Sequence, residues 1–353
     1  MDDRSFNAAQ RFLLASKRFW TTTLYRRLRD EYAAAAAAAH ITPQTAADVA
    51  DITEDLTTYR YFAWLERHLQ RMKYSGHYGL ARYCDERRSE LSGNLAPADD
   101  PLLDLDPDLT LPSYYTSVDI HEHPGGVWSD DVAGFVYERG ARSTTPLLGE
   151  THEDLHTRFA NLIAEGRAPR NILDLGCGFG KSTLPFAAEF PTSRVEAIEF
   201  SEPCLRLAAR MAHDVGAKNV RFRQRDAAKT GYPDSTFDLV TSTMFLHETP
   251  AKALRGVFSE IYRVLEPGGR MVHLDFYHFA DAFGRFMHYG HGRRNNEPYM
   301  QPLAEQDLPR MLQESGFERV QIQPFSEAPD VDPESTEAWR FPWTVISAMK
   351  PGR

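Results

Sequence analysis

The chain has 353 residues, 42% of them hydrophobic and 25% charged, and this balance excludes a disordered, collagen-like or coiled-coil protein. Lysine and arginine total 40 against 50 aspartates and glutamates, a net charge of −10, so the phosphate backbone of a nucleic acid would be repelled. No apolar run approaches the roughly 18 residues that cross a bilayer, and the start of the sequence lacks the basic region of a secretory signal. Three widely separated cysteines fit a reducing compartment. We therefore expect a cytoplasmic protein with no membrane and no nucleic-acid partner.

The first 92 residues are predicted to be mainly helical. Residues 33–39 are an unbroken run of alanine, the strongest helix former. Two sets of apolar residues recur at helical spacing: Phe12, Leu13, Phe19 and Trp20 in the first, and Tyr59, Phe62, Leu65, Leu69 and Met72 in the second. Residues 93–113 are rich in proline and aspartate, which predicts an irregular linker.

From about residue 153, short strands alternate with helices. This alternation predicts a parallel sheet with helices on both faces. The first five strands are predicted at 171–175, 194–200, 220–224, 237–242 and 270–275, and the intervening helices at 181–189, 202–215 and 251–265. A further helix is predicted at 306–315. Strands at 320–324 and 343–348 follow with no helix between them, so we expect them to pair antiparallel.

A glycine loop, DLGCGFG at 174–180, lies between the first of these strands and a helix. Glycines let the backbone approach a ligand, and the helix N-terminus favours polar or anionic groups. The loop misses the spacing of a P-loop by one residue, and its Gly-x-Gly-x-Gly pattern departs from the dinucleotide fingerprint. Taken alone, it also fits a tight strand–helix turn.

Two acidic residues strengthen the case for a nucleoside ligand. Glu199 ends the second strand, where a carboxylate can accept hydrogen bonds from both hydroxyls of a ribose. Asp226 follows the third strand, where it can accept from an adenine amino group. Either residue alone fits a solvated strand end or turn. Together with the glycine loop they lie at the carboxyl ends of adjacent strands, where open α/β sheets bind ligands.

Four segments, DLGCGFG, AIEFSEPCL, RDAAKTGYPDSTFDLV and RVLEPGGRMV, resemble in order and spacing the motifs of class I S-adenosylmethionine-dependent methyltransferases, most closely the ubiquinone/menaquinone-biosynthesis type. The resemblance covers residues 165–350. It implies S-adenosylmethionine as cofactor and an α/β, Rossmann-like sheet of seven strands with a reversed last strand, in a domain spanning 151–353. The cofactor residues that it implies are Asp174 near the methionine, Gly176, Cys177 and Gly178 along the loop, Glu199 at the ribose, and Phe200, Asp226 and Ala227 around the adenine, with Thr243 at the end of the fourth strand.

Residues 1–150 lie outside the resemblance. We assign them to an N-terminal, mainly helical domain with a linker. Such an addition is expected to cover the substrate pocket or to form an oligomer interface, and we expect a homodimer.

Two histidine-bearing segments are candidates for catalysis, although displacement on an activated sulfonium mainly needs alignment and exclusion of water. His247 follows the fourth strand and can act as a base; packing against the cofactor is the alternative. Its neighbour Glu248 is predicted to cap the next helix. His121 and His123 would share one face of a strand. We interpret them as part of a loop that folds over the pocket and expect no metal, because no second His/Cys motif pairs with them.

A long insertion at 275–300 is rich in aromatic residues, histidine and methionine. It predicts a lid over the acceptor, or a helix packed on the N-terminal domain, since Phe279, Phe283, Phe286 and Met287 have helical spacing. The leading hypothesis is methyl transfer to a small molecule, in secondary metabolism. An RNA or protein methyltransferase and a non-methylating cofactor-binding module are the alternatives.

Overall fold

The structure, a computed structural model, describes residues 1–144, 147 and 153–352. The predicted domain boundary between residues 150 and 151 lies outside these ranges. No helix within them is long and apolar enough to span a membrane.

Eight strands of the described chain form one mixed sheet in the order β1-β4-β3-β2-β5-β6-β8-β7. Strands β1 to β6 pair in parallel, whereas β8 runs antiparallel to both of its neighbours, β6 and β7. The predicted Rossmann-like sheet with a reversed last strand is therefore confirmed. The strands are β1 (Leu103–Asp104), β2 (Asn171–Leu175), β3 (Arg194–Glu199), β4 (Val220–Gln224), β5 (Phe237–Thr243), β6 (Leu265–Phe276), β7 (Glu318–Pro324) and β8 (Trp343–Met349).

The eighth strand, β1, comes from the segment predicted to be an irregular linker. Leu103 pairs in parallel with Phe222 of β4, and the backbone N–H of Phe222 donates to the Leu102 carbonyl at 2.8 Å. The linker thereby pairs with the edge of β4 that faces away from β3, which would otherwise be unpaired.

Helices cover both faces of the sheet and build the N-terminal region. They are α1 (Asp3–Phe19), α2 (Tyr25–Ala38), α3 (Ala46–Thr53), α4 (Thr57–Ser75), α5 (Leu80–Asp85), α6 (Arg88–Gly93), α7 (Ser113–Thr116), α8 (Ala133–Ala141), α9 (Glu153–Ala164), α10 (Thr183–Glu189), α11 (Glu202–Asp214), α12 (Ala251–Val264), α13 (Ala282–Arg294), α14 (Met300–Ala304) and α15 (Leu308–Glu314). A π-helical turn, Trp20–Leu24, joins α1 to α2, and 3₁₀ turns occupy Ile120–Glu122 and Leu246–Glu248. The helix predicted at 251–265 ends at Val264, and the strand predicted at 270–275 begins earlier, at Leu265, so that Pro267-Gly268-Gly269 lie inside β6.

The N-terminal helices are packed as predicted along only part of their apolar pattern. Leu13, Trp20 and Phe62 are buried, whereas Phe12 is 58% and Met72 44% exposed. One helical face cannot include adjacent positions such as 12 and 13 equally, because successive residues are rotated by about 100°.

One continuous hydrophobic cluster joins the N-terminal helices to the sheet. The Trp20 ring lies 5.1 Å from that of Trp339, and the Trp339 N–H donates to the Thr21 carbonyl at 2.8 Å. Helix α13, which forms the centre of the 275–300 insertion, packs Phe283 against Tyr32 with ring centroids 4.6 Å apart. Of the two alternatives for the insertion, the helix packed on the N-terminal region is therefore present.

Candidate functional site

The carboxyl ends of β2, β3 and β5 open into a cleft that we call the cofactor chamber. It contains about 930 Å³ of space free of protein atoms, part of which is open solvent. Its wall contains six of the predicted cofactor residues together with aromatic residues of the N-terminal region. The predicted residues in the wall are Gly176, Gly178, Glu199, Phe200, Ala227 and Thr243.

Glu199 is the most heavily hydrogen-bonded acid in this chamber. Its Oε1 accepts from the backbone N–H groups of Phe200 at 2.8 Å and Ser201 at 3.0 Å, and its Oε2 accepts from the Gly178 N–H at 3.1 Å. Burial raises the pKa of Glu199 in spite of these hydrogen bonds, which favour the ionised form. The side chain thus ties the glycine loop to β3 and leaves lone pairs on Oε2 directed at the chamber region.

The glycine loop is shaped by conformations that other residues rarely adopt. Gly176 has φ +64°, and a Cβ atom there would lie 2.5 Å from the Phe245 ring. Gly178 has φ +51°. The loop is held from behind by Asp174, whose Oδ2 accepts from the hydroxyls of Ser182 at 3.0 Å and Thr183 at 2.6 Å. Burial raises the pKa of Asp174 to about 6.

Three of the predicted cofactor residues do not line the cofactor chamber. Asp174 is fully buried behind the loop and has no place in the chamber wall. Cys177 faces the neighbouring chamber described below. Asp226 forms a turn, its Oδ1 accepting from the Ala228 N–H at 2.8 Å, while its neighbours Arg225 and Ala227 line the cofactor chamber.

Sequence reasoning missed Tyr115. Its hydroxyl donates to Glu199 Oε1 at 3.2 Å, and its ring lies 5.2 Å from that of Phe200. The N-terminal region therefore completes the cofactor chamber. No local pattern in the sequence marks this residue, because its position depends on how the linker folds back over β3.

A second cleft, the inner chamber, lies on the other side of the glycine loop. Six aromatic residues line it: Tyr74, Tyr137, Phe179, Phe276, Phe341 and Trp343. The two chambers share a wall of seven residues: His121, Tyr137, Gly176, Gly178, Thr243, Met244 and Glu248. A group bound along the glycine loop therefore faces both spaces.

His247 lies in the wall of the inner chamber and is buried. Its Nδ1 is 2.7 Å from Asp275 Oδ1, and its Nε2 is 3.9 Å from Glu297 Oε2. Burial alone would lower the pKa of His247, but the carboxylate of Asp275 outweighs it and the pKa is raised. Asp275 also accepts from the N–H of Leu246 at 2.7 Å, so the carboxylate fixes both the ring and the turn that carries it.

His121 reaches the same region from the N-terminal loop. Its Nε2 is 3.1 Å from Glu248 Oε1, and its Nδ1 is 3.2 Å from Glu297 Oε1. Burial lowers its pKa, but the two carboxylates outweigh burial and raise it to about 10. Glu248 is thus engaged by His121, and the prediction that it caps α12 is wrong, since Pro250 is the N-cap of that helix.

His123 is not part of the site. The segment forms a 3₁₀ turn in which His121 has φ +58°, so the two histidines do not share the face of a strand as predicted. The His123 ring stacks on Tyr74 at 5.4 Å and lines neither chamber. Burial lowers its pKa to about 4.

In residues 1–144, 147 and 153–352, no three His, Cys, Asp or Glu side chains are grouped so as to hold a metal ion. The absence of a metal stays a prediction. Asp275 ends β6 at the same sheet edge as Glu199, so the strand-end rule could have found it. Glu297 has no such signal.

Comparisons with known proteins agree with this geometry. The methyltransferase domain family matches residues 172–269. Demethylmenaquinone methyltransferase of Lactiplantibacillus plantarum is 34% identical over 180 residues, 44% of this chain and 73% of that protein. Ubiquinone/menaquinone biosynthesis C-methyltransferase UbiE of Pseudomonas fluorescens is 37% identical over 134 residues, 37% of this chain and 50% of that protein.

Among solved structures, Haemonchus contortus phosphoethanolamine N-methyltransferase 2 aligns with a TM-score of 0.46 and 15% identity, over 68% of this chain and 60% of that one. The chain spans about half the length of several curated relatives that it matches and 73% of the Lactiplantibacillus protein. The sequence identity to the Lactiplantibacillus protein extends over most of that protein's length. Together with the sheet order, the glycine loop and Glu199, this identity shows that the chain belongs to the class I S-adenosylmethionine-dependent methyltransferases of the ubiquinone/menaquinone-biosynthesis type.

Proposed function

We propose that the protein transfers a methyl group from S-adenosylmethionine to a small molecule bound in the inner chamber. The observation that carries this proposal is the wall that the two chambers share at Gly176, Gly178, Thr243 and Met244. A cofactor that lies along the glycine loop in one chamber presents its sulfonium end to the other. The bound cofactor would supply an electrophilic methyl group, and the protein's part is to align the acceptor and exclude water.

The residues present fit this cofactor. Glu199 Oε2 is placed to accept from ribose hydroxyls, and Phe200 and Ala227 offer apolar surface for the adenine. At Gly176 a side chain would fill the space beside Phe245. The buried Thr243 hydroxyl has no hydrogen-bond partner among the described residues, so it is available at the methionine end.

The inner chamber favours a small, ring-containing acceptor. Its aromatic lining suits a flat apolar molecule. The names of the relatives point to quinone precursors as acceptors. A ring-containing compound of secondary metabolism would fit the same aromatic lining. We propose that His247, held by Asp275, takes the proton that an acceptor hydroxyl or acidic carbon loses.

Calorimetry with S-adenosylmethionine and S-adenosylhomocysteine tests the proposed function. Glu199→Ala should weaken binding of both by about 1.5–3 kcal/mol, the scale for a lost charged hydrogen bond. Glu202→Ala is the matched control, because Glu202 is exposed at the start of α11. Failure of the wild-type protein to bind either compound at millimolar concentration would refute the proposal, and an unchanged affinity in Glu199→Ala would show that the ribose lies elsewhere.

A further inference from the structure

Apart from Thr243, which the inner chamber shares with the cofactor chamber, the inner chamber has one side chain whose buried polar groups have no hydrogen-bond partner among the described residues. His156, in the first turns of α9, is 3% exposed and lines the chamber. Neither of its ring nitrogens has a hydrogen-bond partner in the part of the chain that the structure describes. Leu155, Phe159 and Ala160 of the same helix are packed in the hydrophobic core, which fixes the direction of the His156 side chain.

A buried polar group without a partner costs free energy, about 1–3 kcal/mol in typical proteins. Such groups therefore call for an explanation, commonly a water molecule or a ligand. Burial, with a smaller contribution from the charge of Lys181, lowers the pKa of His156 to about 3. The ring is then neutral at physiological pH and offers one N–H donor and one nitrogen acceptor.

The charged side chains of the chamber are engaged with each other instead. His247 faces Asp275, and His121 lies between Glu248 and Glu297. Lys181 also has an interaction partner. A charged acceptor would have to compete with these pairs, whereas a neutral polar group can bond to His156 at no such cost.

We propose that His156 is the acceptor-recognition residue and that the acceptor is an uncharged ring compound whose hydroxyl or carbonyl group bonds to this imidazole. This assignment rests on the proposed function, because it takes the inner chamber as the acceptor site. It adds to that function the residue that recognises the polar group of the acceptor.

Three para-substituted toluenes test the assignment on protein saturated with S-adenosylhomocysteine. They are p-cresol, p-xylene and p-toluate, which differ in a hydroxyl, a methyl and a carboxylate group. Dissociation constants are measured by saturation-transfer NMR. One hydrogen bond between neutral groups corresponds to a preference of about 3–10-fold, so the wild-type protein should bind p-cresol that much more tightly than p-xylene.

His156→Leu should abolish this preference, and His156→Gln, which keeps a donor and an acceptor, should retain part of it. The matched control is His288→Leu. His288 is 2% exposed, has both ring nitrogens unpartnered among the described residues and packs against Phe276 and Phe279, but it lines neither chamber. Its variant should keep the full preference. If His156→Leu is insoluble, His156→Phe replaces it.

The assignment is overturned by a wild-type protein that binds none of the probes or does not prefer p-cresol, by a preference that survives in His156→Leu, or by tighter binding of p-toluate than of p-cresol. S-adenosylhomocysteine affinity is measured for each protein. A wild-type protein that does not bind S-adenosylhomocysteine would contradict the proposed function itself. A wild-type protein that binds S-adenosylhomocysteine normally but shows no preference among the probes would contradict only the assignment of His156.

Discussion

At the scale of single residues, His247 has the arrangement of a positioned base. Asp275 accepts from Nδ1, which fixes the tautomer and leaves Nε2 directed toward the inner chamber and Glu297. A general base contributes about 10²–10⁴-fold to rate. His247→Gln should therefore lower turnover by at least about 100-fold while the affinity for S-adenosylmethionine stays within about twofold of the wild type.

Turnover is measured as release of S-adenosylhomocysteine with an acceptor that the wild-type protein methylates. His288→Gln is the control for loss of a buried imidazole nearby. A small fall in turnover, or a fall that parallels cofactor affinity, would show that His247 only packs against the cofactor.

The paired charge of His121 makes stability depend on pH. Its pKa is raised to about 10 in the folded protein from about 6.5 in an unfolded chain. The pairing therefore stabilises fully below pH 6.5 and is lost as the pH rises toward 10. We expect the free energy of unfolding to fall between pH 7 and 10, by at most about 1.4 kcal/mol per pH unit from this group.

Urea unfolding at successive pH values measures this slope. His121→Gln should reduce the slope in that range, leaving the contributions of His247 and His291, whose pKa values are also raised, chiefly by Asp275 and Glu66 against the effect of burial. Equal slopes in the variant and the wild type would contradict the pairing of His121 with Glu248 and Glu297.

At the scale of elements, the sequence predicts what is local and leaves out what depends on tertiary packing. Strands β2 to β5 and the glycine loop follow from apolar runs and turn residues, so Glu199 could be placed at a strand end in advance. His123 could not, since a 3₁₀ turn at Ile120–Glu122 replaces the expected strand geometry. Tyr115 and Glu297 reach the site through folding of irregular segments, which no spacing rule describes.

At the scale of the whole molecule, the N-terminal helices are part of the catalytic domain's core. Trp20 and Phe62 belong to the same hydrophobic cluster as Phe276 and Trp343, and Tyr74 lines the inner chamber. Deletion of residues 1–92 should therefore give an insoluble or inactive protein, because it exposes this cluster and opens the chamber. Expression in the soluble fraction and calorimetry with S-adenosylhomocysteine measure the outcome.

A matched comparison is the Val215→Ser variant, which changes an exposed residue at the end of α11 and should leave solubility and cofactor binding intact. The apolar residues Phe12, Trp64 and Met72 are exposed, which is consistent with the homodimer that we propose. A single monomeric species in sedimentation velocity would contradict the homodimer. A truncated protein that stays soluble and active would show that the helices are dispensable.

The contact of Trp20 and Thr21 with Trp339 also bears on how the chain folds as it is made. The chain is synthesised at about 5–20 residues per second. The segment that carries Trp20 and Thr21 therefore leaves the ribosome before the segment that carries Trp339 has been synthesised. The apolar surface around Trp20 therefore stays exposed until the segment near the other end of the chain has been synthesised. The core can therefore be completed only after the segment around Trp339 has been synthesised.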